Sequence, residues 1–321
     1  MNRPSVPDYR GPRGAAAGYR YQELWTFMQC MALLDPASGL QRIIVDGLLP
    51  EDERDAPRGS SDAVDCTLAY GDEEGQRIDR IEIVQIKCSE AKPRAPHTVA
   101  SLKRDGTIAG LAKSFELVAE RHPALATRDC IKARLVSNRP VHPKLLAALR
   151  SSTLAAVRAA PVEAGSEYSA LQVESGLSGE ACARFASALD FSGCSGQSRF
   201  ELRGSALSHL SGMIGQEAGQ SALGLLHYIQ SLSLPESKGR ELRRHDVLAQ
   251  LGFSDPTGLF PCPCPARHLG QIVERRVMSD LAAKLLRREN KICVHGEAGI
   301  GKTTILSGIG HRLPLGSAYV L

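Results

Sequence analysis

The chain has 321 residues, of which 43% are hydrophobic, and its formal net charge is +4. This length and apolar content predict a globular protein with a substantial core and two domains. No apolar run reaches the length of a membrane span, and residues 1–13 lack the apolar core of a secretion signal, which favours a cytoplasmic protein with no membrane partner. Nine scattered cysteines indicate reduced thiols rather than a disulfide framework.

The first part of the chain predicts a helix followed by the strands of a sheet. Residues 1–14 are basic and contain prolines, so we expect a flexible arm there. Apolar residues recur at helical spacing through residues 18–34 and predict an amphipathic helix. Three strands are then predicted, the last two forming a hairpin: residues 42–46, 64–70 and 78–88.

The middle of the chain predicts helices around one further strand. The strand is residues 132–137, and the helices are residues 108–121, 143–158, 179–189, 205–232 and 244–251. This order indicates an α/β domain, residues 15–252, with a small mixed sheet flanked by helices. Residues 253–269 are rich in proline and predict a linker, although Cys262, Cys264 and His268 leave a metal site there as the alternative.

A phosphate-binding motif follows the linker. Residues 296–303 read GEAGIGKT and match G-x-x-x-x-G-K-[ST] in full. A short buried strand is predicted before the motif, at residues 291–295, and a helix after it, at residues 303–309. Strand, glycine-rich loop and helix are the context that this motif requires. Residues 270–321 therefore predict the N-terminal portion of a P-loop NTPase domain that binds ATP with Mg²⁺; the alternative is a strand-to-helix turn without a ligand.

Each residue type in the loop has a physical reason to be there. Glycine lets successive backbone N–H groups turn toward a polyphosphate, and the helix N-terminus adds positive potential. The Lys302 ammonium would reach the β and γ phosphates, and the Thr303 hydroxyl would bind Mg²⁺. The predicted nucleotide-binding residues are Gly296, Gly299, Gly301, Lys302, Thr303 and the adjacent helix residue Thr304.

An NTPase also needs an acidic residue at the end of a later strand to hold Mg²⁺ and position water. The chain ends at Leu321, and the residues after Thr303 leave no room for that strand. We therefore expect the chain to be the front of a longer protein and expect no ATP hydrolysis by this piece alone.

A second group of polar residues lies in the predicted hairpin. Gln85 and Lys87 interrupt an apolar strand and lie on the same face of it. Asp65 begins the partner strand and can face them. A carboxylate, an amide oxygen and a lysine that converge at strand ends suit Mg²⁺-assisted hydrolysis of a phosphodiester, with Asp65 and Gln85 as ligands and Lys87 acting on water and phosphate charge. The alternative is a polar sheet face open to solvent.

These residues also carry a resemblance to a known family. Residues 18–22 (GYRYQ), 62–65 (DAVD), 84–87 (VQIK) and 135–139 (LVSNR) together resemble the PD-(D/E)xK double-stranded-DNA endonuclease domain. The version they resemble stands at the N-terminus of bacterial anti-phage effectors, both cyclic-nucleotide-activated effectors and antiviral STAND NTPases. The resemblance covers about residues 15–235. It implies a restriction-endonuclease-like fold, Mg²⁺-dependent cutting of DNA, and activation by assembly into a homo-oligomer.

The resemblance also implies roles for individual residues. Asp65 takes the place of the catalytic aspartate, Gln85 the place of a residue that is Glu or Gln in the superfamily, and Lys87 the place of the catalytic lysine. Gln22, on the first helix, matches a position that supports the metal site. Because Gln85 carries no charge, we expect one more carboxylate near the metal, with Asp46 as the first candidate.

Asp62 and Glu23 are the next candidates for that carboxylate. Similarly, residues 274–276 (ERR) and 294–296 (VHG) resemble the beginning of a STAND NTPase, in which one arginine lies near the nucleotide. The resemblance implies a nuclease that is controlled by an ATP-binding switch and that senses a phage protein through a further C-terminal region. The alternative function is a regulatory ATP-binding protein whose N-terminal domain binds DNA or a partner without catalysis.

Overall fold

The computed structural model describes residues 12–35, 38–54, 61–72, 77–150, 162–214, 218–254, 256, 259, 276–286, 305 and 309. The predicted phosphate-binding loop, the strand before it and most of the predicted linker lie outside these ranges. So does most of the predicted basic arm, but its last three residues, 12–14, already belong to the first helix.

A six-stranded mixed sheet forms the centre of the fold. Its strands are β1 (Leu40–Val45), β2 (Cys66–Gly71), β3 (Ile78–Lys87), β4 (Ile131–Ser137), β5 (Leu189–Gly193) and β6 (Glu241–Leu242). They lie in the order β5-β4-β3-β2-β1-β6. Strands β1, β2 and β3 are antiparallel neighbours, β3, β4 and β5 are parallel, and β6 pairs antiparallel with β1. The ends of β1, β3 and β4 therefore meet the start of β2 at one end of the sheet.

Helices cover both faces of this sheet. The α-helices in the described ranges are α1 (Pro12–Leu34), α2 (Pro50–Glu53), α3 (Val99–Arg104), α4 (Thr107–Arg121), α5 (Pro123–Thr127), α6 (Pro143–Arg150), α7 (Val162–Ser175), α8 (Gly179–Ala188), α9 (Arg199–Ile214), α10 (Ala218–Leu232), α11 (Arg244–Gln250) and α12 (Arg276–Leu286). None of them has the length and apolar content that a membrane span needs.

Two hydrophobic cores follow from the alternation of side chains along the strands. On one face, α1, α9, α10 and α11 pack against residues such as Cys66, Leu68 and Val84. On the other face, α3, α4, α6, α7 and α8 pack against residues such as Ile81 and Ile83. Because neighbouring strand residues point to opposite faces, each central strand is apolar on both sides, as expected for a sheet between two helical layers.

The predicted α/β class and the mixed sheet flanked by helices are confirmed. The hairpin of β2 and β3, the helix α4 and the strand β4 lie within two residues of their predicted bounds. The predicted helix at residues 205–232 is instead two helices, α9 and α10, and both pack against α1. Their similar apolar spacing made them look continuous in the sequence.

The second predicted domain is described only in part. Within residues 270–321, the structure describes helix α12, which precedes the predicted phosphate-binding motif. Ile305 and Ile309, both helical, pack with Met278 and Ala282 of α12. A helix before the phosphate-binding motif thus contacts helical residues after it.

Candidate active site

Asp65, Gln85 and Lys87 lie close together at one end of the sheet. Cys66 of β2 pairs with Val84 of β3, and the backbone N–H of Asp65, the residue before β2, donates to the Val84 carbonyl at 3.0 Å. Asp65 therefore lies beside residues 84–86 of β3. Since residues two apart share a face, Lys87 follows Gln85 on the side of the sheet that packs against α4. The structure brings the three predicted residues together.

The Asp65 carboxyl group is largely buried. Its Oδ2 accepts a hydrogen bond from the Ile86 backbone N–H at 2.5 Å. Burial raises the pKa of Asp65 to about 6, the Ile86 N–H and the Lys87 charge lower it, and the nearby charge of Asp46 raises it. Desolvation has the largest effect. Because water solvates a buried carboxylate poorly, a bound cation would stabilise its charged form strongly.

Asp46 joins this group through the backbone and through Gln22. Its backbone N–H donates to the Asp65 carbonyl at 2.9 Å. The Gln22 side chain, on α1, donates from Nε2 to Asp46 Oδ1 at 2.6 Å and to the Asp65 carbonyl at 3.3 Å. The Gln22 amide thus holds the Asp46 carboxylate near Asp65 by donating to both residues.

The backbone of Asp46 has a special conformation. Its φ is 53°, in the left-handed region that few residues other than glycine adopt. Asp tolerates this region better than most residues, and such conformations concentrate at functional sites. The turn that follows is held by Thr67, whose hydroxyl donates to the Gly47 carbonyl at 2.6 Å. The side chain of Asp46 is exposed at the sheet end.

Gln85 presents an unused ligand atom. The residue is only 7% exposed, and its Oε1 forms no hydrogen bond within the described part of the chain. A buried amide oxygen without a partner costs free energy, so its presence needs a reason. Mg²⁺ accepts carboxylate and amide oxygens. Oxygens of Asp65, Gln85 and Asp46 are a donor set that fits this ion.

This set of possible metal ligands contains few carboxylates. Among the described residues, no cluster of three or more His, Cys, Asp or Glu side chains is placed to hold a metal. The other two acids proposed from the sequence do not complete one: Asp62 is exposed, and Glu23 forms an ion pair with Arg20 at 2.7 Å. Two carboxylates and one neutral amide oxygen are what the sheet end provides.

The predicted nucleotide-binding residues lie outside the described residues. They are Gly296, Gly299, Gly301, Lys302, Thr303 and Thr304. Their binding of ATP and Mg²⁺ remains a prediction from the sequence.

The segment after Lys87 is held by residues at the end of β4. The buried Asn138 amide accepts from the Ser89 N–H at 2.9 Å and donates to the Ser89 carbonyl at 3.1 Å. Arg139 donates from Nε to the Ala95 carbonyl at 2.6 Å. Residues 138 and 139 belong to the sequence pattern that carried the resemblance, and their side chains hydrogen-bond to the backbone of the segment that follows Lys87.

His97 is a residue that the sequence did not single out. It is 2% exposed, and its Nε2 lies 2.9 Å from the hydroxyl of Ser137, which pairs with Lys87 across β3 and β4. Its Nδ1 has no partner among the described residues. Burial, chiefly, and the positive charges of Arg139 and Lys87 lower the pKa of His97 to about 4, whereas Asp105 raises it. The ring is therefore neutral at physiological pH.

Comparison of the sequence with protein-family models and with curated proteins does not identify a family. No protein-family model matches the chain, and no curated protein matches it. The geometry at the sheet end is therefore the observation on which a functional proposal rests.

We predict that Asp65→Asn stabilises the metal-free protein. A pKa that burial raises from 3.8 to about 6 means that the charged form disfavours folding above pH 6, and that this cost disappears below pH 4, where both states are protonated. At pH 7.5 and without divalent metal, the free energy of unfolding should rise by about 1–3 kcal/mol. Urea unfolding measures it, with Asp62→Asn as the exposed control. An unchanged or lower stability of Asp65→Asn at pH 7.5 would contradict the burial cost.

We predict that His97 makes the fold sensitive to acid. A histidine whose pKa falls from 6.5 to about 4 on folding stabilises the protein fully above pH 6.5, and this stabilisation is lost as the pH falls toward 4. Between pH 6.5 and pH 4.5 the free energy of unfolding should fall by roughly 2 kcal/mol less in His97→Gln than in wild type. The exposed control His209→Gln should behave as wild type. Parallel pH profiles for wild type and His97→Gln would show that His97 does not carry the effect.

Proposed function

We propose that the chain is an Mg²⁺-dependent endonuclease that hydrolyses phosphodiester bonds in double-stranded DNA. The observation that carries this proposal is the meeting of Asp65, Gln85 and Lys87 at one end of the sheet, where the buried Gln85 Oε1 has no partner among the described residues. A buried oxygen without a partner next to a carboxylate of raised pKa indicates a cation site, and a lysine beside it suits an anionic substrate.

Each residue has a distinct task in this reaction. Asp65, Gln85 and Asp46 would hold Mg²⁺, which supplies Lewis-acid activation of water and of the scissile phosphate. The Lys87 side chain lies on the same face of β3 as Gln85 and forms no hydrogen bond or ion pair with another described residue. It is therefore free to orient the attacking water and to stabilise negative charge at the phosphate. Gln22 keeps the Asp46 carboxylate in place.

The finer fold assignment is part of the same proposal. A mixed sheet with helices on both faces, and functional residues at the start of β2 and the end of β3, support a restriction-endonuclease-like domain. The sequence resemblance of residues 15–235 supports it independently of the geometry.

We further propose that residues 270–321 bind ATP with Mg²⁺ and belong to a STAND-type switch that controls the nuclease through homo-oligomer formation. The complete GEAGIGKT motif and the packing of α12 against Ile305 and Ile309 support it. Such a protein would act in the bacterial cytoplasm in anti-phage defence, with a phage protein as its trigger.

The nuclease proposal predicts Mg²⁺-dependent cutting of duplex DNA that requires Lys87. The full chain should linearise and then degrade supercoiled plasmid with Mg²⁺ and not with EDTA. Lys87→Ala should lower the rate by at least about 100-fold, because a charge that stabilises the transition state is lost. Lys132→Ala, which removes a lysine from β4 away from the sheet end, should cut as wild type does.

Metal binding separates this proposal from the alternative of a non-catalytic binding domain. Mg²⁺ should raise the melting temperature of wild type and of Lys87→Ala but not that of Asp65→Ala. If plasmid stays intact at all protein concentrations with Mg²⁺ and with Mn²⁺, and Mg²⁺ stabilises Asp65→Ala as well as wild type, the domain does not hold a catalytic metal.

The switch proposal predicts that the full chain binds ATP through Lys302. A fluorescent ATP analogue should bind in the presence of Mg²⁺, and Lys302→Ala should weaken binding by at least about tenfold, roughly 1.4 kcal/mol. The control Lys284→Ala removes an exposed lysine from α12 and should bind as wild type does. Equal affinity of Lys302→Ala and wild type would mean that the motif is a turn without a nucleotide.

A further inference from the structure

A cavity lies beside the candidate active site, on the opposite face of the sheet. Its volume is about 310 Å³, and α1, α10 and the end of β1 bound it. Val45 and Ile229 form apolar walls, and Tyr19, which is 66% exposed, stands at the mouth. This size is at the lower end of the range for small-molecule sites.

A buried hydroxyl beneath the cavity lining has no partner among the described residues. Thr26 is fully buried and lines the cavity, and its Oγ1 forms no hydrogen bond within the described ranges. A threonine within a helix can bond to the carbonyl four residues earlier, so an unused hydroxyl at this place is not dictated by the helix. The amide of Gln230 and the hydroxyl of Ser233 add further groups that both donate and accept.

The charge at the cavity restricts what can enter. Glu23, which also lines it, is a carboxylate whose charge is balanced by Arg20 at 2.7 Å, so nothing in the lining selects an anion. A flat, uncharged group with donors and acceptors along its edge matches apolar walls, hydroxyls and amides. The exposed ring of Tyr19 offers a stacking surface at the mouth, as aromatic side chains do for unpaired bases.

The cavity is linked to the candidate active site through one side chain. Gln22 lines the cavity and also donates to Asp46 at 2.6 Å and to the Asp65 carbonyl. Val45 lines the cavity and precedes Asp46 in the chain. We propose that this cavity binds a nucleobase, either one extruded from DNA held at the sheet end or that of a free nucleotide. The choice of ligand rests on the proposed nuclease function, because the adjacent substrate would be DNA.

The first test measures binding without cleavage. Each of the four deoxynucleosides is titrated into the full chain and followed by saturation-transfer NMR. At least one should bind, and Ser233→Trp, which blocks the mouth from an exposed position, should weaken it at least tenfold. Thr26→Val, which removes the unpaired hydroxyl, should weaken it severalfold. Leu234→Trp changes the next exposed residue, which does not line the cavity, and should bind as wild type does.

The second test distinguishes the two sources of the base. A duplex with one 2-aminopurine is mixed with Lys87→Ala protein and Mg²⁺. A fluorescence rise that Ser233→Trp abolishes identifies an extruded base, whereas nucleoside binding without that rise identifies a free nucleotide. If no deoxynucleoside binds, or if Ser233→Trp binds as tightly as Leu234→Trp, the cavity is not a nucleobase site. Because the first test needs no cleavage, this inference and the nuclease proposal can fail separately.

Discussion

The pairing register of β2 and β3 is the constraint on which the candidate site depends. Cys66 faces Val84, the Asp65 N–H donates to the Val84 carbonyl, and Asp65 Oδ2 accepts from the Ile86 N–H, so Asp65 lies beside Gln85. A slip of one residue would turn Asp65 to the other face of the sheet and separate it from Gln85 and Lys87. Both faces resist such a slip because each is packed in a hydrophobic core: Leu68 and Val84 lie in one, and Ala69 and Ile83 in the other. The two cores thus specify the geometry of polar groups that contribute nothing to the packing.

Those polar groups work against stability in the absence of a ligand. Burial raises the pKa of Asp65, the Gln85 Oε1 has no partner among the described residues, and Asp46 has a left-handed backbone conformation. Strain and unsatisfied polarity together at one sheet end are costs that the rest of the fold must offset. A cation bound there would pair the oxygens and favour the charged form of Asp65. The same features that destabilise the free protein therefore increase its gain from binding.

The central strands and the candidate site could be predicted from the sequence because their signals are local. Alternating apolar residues predicted β2 and β3, and two polar residues two positions apart in β3 predicted a shared face. Strands β5 and β6 were not predicted, since β5 directly follows a helix and β6 has only two residues, and their pairing depends on distant neighbours. For the same reason, the burial of His97 near the site and the positive φ of Asp46 were not predicted. Both depend on contacts between segments far apart in the chain, which spacing within one segment does not encode.

A glutamine at position 85 suits the acids around it. The charge of Asp46 already raises the pKa of Asp65. A third carboxylate at a position only 7% exposed would add another like charge within the same poorly solvated space. It would raise the pKa of Asp65 further and leave the group partly protonated near neutral pH. An amide supplies the ligand oxygen without that repulsion. With Gln85 instead of a carboxylate, the site near Lys87 carries less negative charge. The Lys87 ammonium is then attracted less strongly by the acids and is more available to a phosphate.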